Sequence, residues 1–184
     1  PHKADLPAIC ERLTPAASRA GAVNTFWVED GALVGDNTDI DGVIAAVTTL
    51  LGEAPRDSCV ALLGAGGWAA AVLCAAERWI GVTVAVFARS RARAESRVQR
   101  FGSRVRIASS PADAVRGAAL VVNATPLGLR DADAPPIPVD QLNDDTAVLD
   151  LVYSANETRW VRAARSRGLR AADGLTMLLE QGAA

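Results

Sequence analysis

The sequence predicts an α/β fold whose larger part is a doubly wound parallel sheet. Three observations predict it. From residue 59 onward, apolar runs of strand length alternate with segments of helix length, the order that sets parallel strands side by side through right-handed crossovers. The first of these runs, 59–63, leads directly into Gly64-Ala65-Gly66-Gly67 and then into an alanine-rich helix signal over 68–78. Half of the 184 residues are hydrophobic, enough for a sizeable core.

Taken in order, residues 3–13 predict a helix, with Leu6, Ile9, Cys10 and Leu13 on one face and Pro7 near its start. Apolar stretches at 22–28 and 32–34 flank Glu29-Asp30-Gly31, a hairpin signal. Asp36-Asn37-Thr38-Asp39 is a polar stop, and a helix follows over 40–51, closed by Gly52. Residues 53–57, with Pro55 among them, read as a linker between two units. Strands are then predicted at 59–63, 82–87, 105–107, 120–123 and 147–152. Helices are predicted at 67–79, 92–101, 112–116 and 158–167, the last capped by Gly168, and a helix-like stretch occupies 175–181.

Composition excludes several classes. The formal charge is −2 and no basic block occurs, so no nucleic-acid partner is expected. No apolar run reaches the length of a membrane span. Cys10, Cys59 and Cys74 show no metal-ligand spacing. Cys59 and Cys74 read as small buried hydrophobes, no metal is expected, and free thiols suit a reducing cytoplasm.

The glycine turn points to chemistry. Backbone N–H groups at such a turn face a dinucleotide pyrophosphate, and missing Cβ atoms let it approach closely. The motif is G-x-G-G-x-A rather than G-x-G-x-x-G, so it carries weight only with its flanking strand and helix. The second strand ends in Ala88-Arg89-Ser90-Arg91-Ala92-Arg93. An acid at that tip would bind a ribose 2′-hydroxyl, whereas arginines receive a 2′-phosphate. This cluster predicts NADP rather than NAD, and the whole pattern is Rossmann-like.

Seven short segments together resemble the shikimate dehydrogenase family. They are Pro1-His2-Lys3, Gly21-Ala22-Val23-Asn24-Thr25, Asn37-Thr38-Asp39, the glycine turn, Asn123-Ala124-Thr125-Pro126, Asp150-Leu151-Val152-Tyr153 and Asp173-Gly174-Leu175-Thr176-Met177-Leu178. The resemblance implies a Rossmann-like NADP domain over 53–174, joined to the remnant of a smaller α/β substrate-binding domain over 1–52. Residues 175–184 would begin a helix returning to the substrate side. The implied activity is reversible reduction of 3-dehydroshikimate to shikimate. The implied partner is this small-molecule substrate, and a homodimer is left open.

The same resemblance implies roles. Lys3 would be the proton donor and Asp39 its partner, a cation being suited to the charge that develops on a ketone oxygen. Asn24, Thr38, Tyr153 and Gln181 would face the substrate. Gly64, Ala65, Gly66 and Gly67 would line the pyrophosphate, with Arg89, Ser90 and Arg93 at the 2′-phosphate. Thr125, Gly174 and Met177 would border the nucleotide. His2, the single histidine, reads as structural.

The chain departs from the family at Ala88, Trp68, Ser154-Ala155 and Thr176. These departures leave quinate or an aminated shikimate analogue as an alternative substrate, and a non-catalytic nucleotide-binding module as a third reading. Against the family, a serine-bearing N-terminal stretch and the rest of the C-terminal helical region are expected to lie outside residues 1–184. Little turnover is expected from these residues alone.

Overall fold

The computed structural model describes Lys3, residues 5–130 and residues 132–183. After a 3-10 turn at Leu6–Ala8, strand β1 (Arg12–Leu13) leads into helix α1 (Pro15–Ala20), and β2 (Thr25–Glu29) and β3 (Ala32–Asp36) follow. β3 lies between the other two, parallel to β1 and antiparallel to β2. Asp30 and Gly31 at the hairpin tip both have positive φ, 52° and 79°, the twist that a two-residue turn needs.

The helix predicted over 3–13 is not formed. Arg12 pairs with Val34 and Leu13 with Gly35, so backbone groups that a helix would use internally go to the sheet instead. The apolar spacing also misleads: Ile9 is 62% exposed, and Cys10 and Leu13 pack across Gly35. Over so short a segment, helix propensity is easily overridden by tertiary pairing. Pro1 and His2, and with them the structural reading of His2, lie outside the described residues. Helix α1 is absent from the sequence-based expectation, although its signals are present: Thr14 Oγ1 accepts the Ala17 N–H and Pro15 stands in the first turn.

Helix α2 (Asp39–Leu51) ends at Gly52 and leads to the larger sheet. Its elements run β4 (Cys59–Leu63), α3 (Gly67–Glu77), β5 (Thr83–Phe87), α4 (Arg91–Val98), β6 (Val105–Ile107), α5 (Pro111–Val115), β7 (Leu120–Asn123), β8 (Ala147–Asp150), α6 (Arg159–Ser166), β9 (Ala171–Ala172) and α7 (Leu175–Ala183). All strand pairs are parallel, in the spatial order β6-β5-β4-β7-β8-β9. Numbered within the sheet this is 3-2-1-4-5-6, the Rossmann order. β9 escapes prediction because two alanines carry no strand pattern. Leu151 and Val152, predicted as strand, leave the ladder after β8.

Side chains alternate across the sheet. Val60, Leu62, Val84, Val86, Leu120 and Val122 face α2, α3, α4 and α7. Ala61, Leu63, Ala85, Val121 and Val148 face α5 and α6. Both faces are therefore covered, as a parallel sheet requires.

Candidate functional site

The strand order reverses between β4 and β7, so their C-terminal ends open a crevice. Gly64, with φ 119°, stands at the exit of β4. A Cβ there would lie 2.6 Å from the Ala124 carbonyl oxygen, so only glycine permits this approach. Gly66 is the N-cap of α3, offers no side chain to cap the helix, and has open space where a Cβ would stand. Backbone N–H groups of the first turn thus face a cleft of about 760 Å³, whose walls include Lys3, Ala65, Gly66, Gly67, Arg93 and Thr125.

Trp68, Arg97 and Arg100 also line this cleft. The two arginines are not among the predicted cleft residues, but their spacing from Arg93, four and seven positions along the chain, is a readable signal. Both also reach the end of α1. Arg97 Nη1 donates to the Ala20 carbonyl at 3.1 Å and Arg100 Nη2 to that of Ser18 at 2.7 Å. Burial and the neighbouring Arg100 charge push the Arg97 guanidinium below its ordinary range. Ser90 caps α4, its Oγ accepting the Arg93 N–H at 3.3 Å, and Arg89 is exposed just beyond β5.

A polar cluster borders the cleft. Lys3 Nζ lies 2.5 Å from Asp39 Oδ2, and Asp39 is fully buried. Asn24 Nδ2 donates to Asp39 Oδ1 at 2.9 Å and to Thr38 Oγ1 at 3.1 Å. Asn24 Oδ1 accepts the Thr38 N–H at 3.0 Å. Asp39 is the first residue of α2, where the helix dipole favours a carboxylate. Its side chain serves Lys3 and Asn24 rather than capping the helix. The Lys3 stem rests on Gly67, where a Cβ would lie 3.3 Å from Cδ, and its ammonium stands 5.9 Å from the Trp68 ring centre. One lysine therefore connects this polar cluster to the glycine turn. The arrangement can deliver a proton at the mouth of a dinucleotide-sized cleft.

Helix α7 lies against α2 through Gly42, one turn beyond Asp39. A Cβ at Gly42 would meet the Met177 carbonyl oxygen at 2.8 Å and Gln181 Cβ at 3.4 Å. Gln181 Oε1 is buried without a hydrogen-bond partner among the described residues. Met177 is in the core, 3% exposed. Gly174 is pressed against the loop after β8, its N–H donating to the Val152 carbonyl at 3.0 Å. Tyr153 follows in that loop and is half-exposed. Thr125 Oγ1 donates to Asn123 Oδ1 at 2.6 Å.

No family model matches the chain. Among curated proteins, shikimate dehydrogenase (NADP(+)) of Methylocella silvestris is 42% identical over all of this chain and 66% of its own length. That of Alkalilimnicola ehrlichii is 39% identical over all of this chain and 68% of its own length. The chain belongs to the shikimate dehydrogenase family. It spans about two thirds of the length of these relatives. Solved structures agree with this family membership. Shikimate 5-dehydrogenase of Thermus thermophilus, in complex with NADP(H) and shikimate, superposes with a TM-score of 0.83 at 38% identity, over all of this chain and 67% of that one. Quinate dehydrogenase of Corynebacterium glutamicum, in complex with NAD, superposes at 0.85 and 28% identity, over 98% of this chain and 67% of that one. Among the described residues no helix is long and apolar enough to cross a membrane.

Proposed function

We propose that the protein is an NADP-dependent shikimate dehydrogenase, an oxidoreductase that reversibly reduces 3-dehydroshikimate to shikimate in aromatic amino-acid biosynthesis. The observation that carries this reading is the Lys3–Asp39 pair, 2.5 Å apart, at the edge of the cleft that the glycine turn opens.

The residues present fit the dinucleotide. Gly66 leaves its surroundings open and Gly64 lets the β4 and β7 exits close together. Ala65, Gly66 and Gly67 would hold the pyrophosphate, and Arg89, Ser90 and Arg93 the 2′-phosphate. Thr125, Gly174 and Met177 would border the nucleotide, Met177 acting from behind through the packing of α7. The cofactor, when bound, supplies or accepts the hydride. Lys3 then donates the proton that the developing alkoxide needs, and in the reverse direction takes it back. Asp39 aims the ammonium and accepts from the reacting hydroxyl. Asn24, Thr38 and Tyr153 would orient the remaining hydroxyls. The unpartnered Gln181 Oε1 fits a hydroxyl donor.

Residues 1–52 would form the substrate side, 53–174 the dinucleotide side, and 175–184 the return to the substrate side. A cytoplasmic setting and a homodimer belong to the same reading, the latter checked by light scattering. The alternative is quinate or an aminated analogue as substrate, favoured by the likeness to quinate dehydrogenase. The test is oxidation of shikimate and of quinate by the full-length protein that contains residues 1–184, each with NADP+ and NAD+, beside Lys3→Ala. Shikimate with NADP+ is expected to lead and to collapse in the variant. Preference for quinate would move the substrate, and oxidation of neither with NADP+ still bound would leave the non-catalytic module.

A further inference from the structure

Asp150 takes no part in the chemistry above, yet it ends β8 at the C-terminal rim of the sheet and is fully buried. Its carboxylate meets donors from three segments. Oδ1 accepts Asn123 Nδ2 at 2.7 Å and the Val152 N–H at 3.1 Å. Oδ2 accepts the Thr158 hydroxyl at 2.7 Å. Asn123, so held, accepts both the N–H and the hydroxyl of Thr125, at 3.0 and 2.6 Å, and Thr125 Oγ1 in turn accepts the Leu127 N–H at 3.1 Å. Thr158 caps α6, its Oγ1 accepting the Val161 N–H at 3.3 Å. The chain of bonds runs from α6 through Asp150 and Asn123 to Thr125 in the cleft wall, and from Asp150 to Val152, the residue before Tyr153.

We propose that Asp150 is a positioning residue, whose carboxylate ties the loop after β7, the loop after β8 and the start of α6 into one rim and holds Thr125 against the cofactor. The inference rests on the dehydrogenase reading for what the cleft binds. A buried carboxylate is a demanding choice here. Burial, with the Asp173 charge beyond β9 adding to it, pushes Asp150 up to about 6, against the pull of its three donors. The groups that face it from β7 and α6, Asn123 and Thr158, are neutral. Protonation on Oδ2 would leave that oxygen a donor facing a donor. The Thr158 hydroxyl must then turn, and the charge that strengthens all three bonds is lost. Asp150→Asn places an amide in the same frame and imitates the protonated state.

The test is NADPH binding to the full-length protein that contains residues 1–184, from pH 5 to 8, followed by quenching of tryptophan fluorescence, in the wild type, Asp150→Asn, Thr158→Ala and Thr158→Ser. The 2′-phosphate titrates in the same range but does so in every protein, so the ratio to wild type is the readout. At pH 8 Asp150→Asn is expected to bind about tenfold more weakly, the scale of one charge-assisted hydrogen bond. At pH 5 wild type and variant are expected to converge to within about twofold, because both then carry a neutral group. Thr158→Ala is expected to fall between them, and Thr158→Ser to restore wild-type binding. A ratio independent of pH, or Thr158→Ser as weak as Thr158→Ala, would overturn the inference. Shikimate oxidation in the same samples separates the two readings. A wild type that binds NADPH with this pH pattern but leaves shikimate untouched sinks the substrate assignment and keeps Asp150. Turnover in the wild type with an unaffected Asp150→Asn does the reverse.

Discussion

The six-stranded sheet is covered on both faces, whereas every residue of β2 in the three-stranded sheet is exposed. Leu62 at the centre of the large sheet has no accessible surface, while Phe26 and Val28 on β2 are 58% and 71% exposed. The two regions also meet a ligand differently. The large sheet presents backbone, through the crevice between β4 and β7 and the uncapped start of α3. The smaller region presents side chains, Lys3, Asn24 and Asp39, held by one another rather than by a surrounding core. Packing makes the cleft at the glycine turn, and a polar network makes the Lys3–Asp39 cluster proposed to transfer the proton. The two touch where the Lys3 stem lies on Gly67.

The sharpest separation of the two roles is Lys3→Ala. On the proposed reading, turnover falls by about a thousandfold, within the range for a general acid, while NADPH affinity, measured by titration, stays nearly constant. Equal loss of both would merge the two regions into one. For stability the large sheet dominates. Leu62→Ala is expected to lose roughly 3 kcal/mol in denaturant melts, and Val28→Ala less than about 0.5 kcal/mol. A comparable loss at Val28 would mean that β2 is covered in solution.

Two glycines with positive φ refine the contrast. Gly64→Ala drives a Cβ into the Ala124 carbonyl, whereas at Gly31 nothing lies within 4 Å. The first is expected to destabilise by roughly 3 kcal/mol and the second by about 1 kcal/mol, the left-handed backbone alone. Asp150 probes the rim of the large sheet through pH. Its folded value of about 6 exceeds the ordinary 3.8, so between pH 4 and 6 the folded chain holds a proton that the unfolded chain has released. Stability should fall by roughly 3 kcal/mol as pH rises through that window, and Asp150→Asn should abolish this part of the slope in thermal melts. Arg93→Gln is expected to weaken NADPH about tenfold and NADH hardly at all. Equal effects on both nucleotides would place the 2′-phosphate elsewhere.

The large sheet is legible because its signals are local. Strands of four or five apolar residues, the glycine turn and the Asp30-Gly31 hairpin each lie within one short window. Errors arise where windows mislead. Residues 3–13 have a helical apolar period but are drawn to β3, and Ala171–Ala172 becomes a strand only because β8 lies beside it. At the candidate site, the burial of Met177 is not legible locally, because it follows from Gly42 letting α7 press against α2. Arg97 and Arg100 escape notice because their role depends on α1 lying across from α4.

The residues by themselves determined the alternation of strands and helices from β4 to α6, the glycine turn and the arginines after β5. Each depends on backbone preference and side-chain period over a few neighbours. Tertiary structure alone decided that Lys3 meets Asp39 across 36 positions, and that Asp150 gathers Asn123, Val152 and Thr158 around one buried carboxylate. No local propensity encodes a contact between distant segments. Such a contact exists only once the parallel sheet has brought its loops to the same edge.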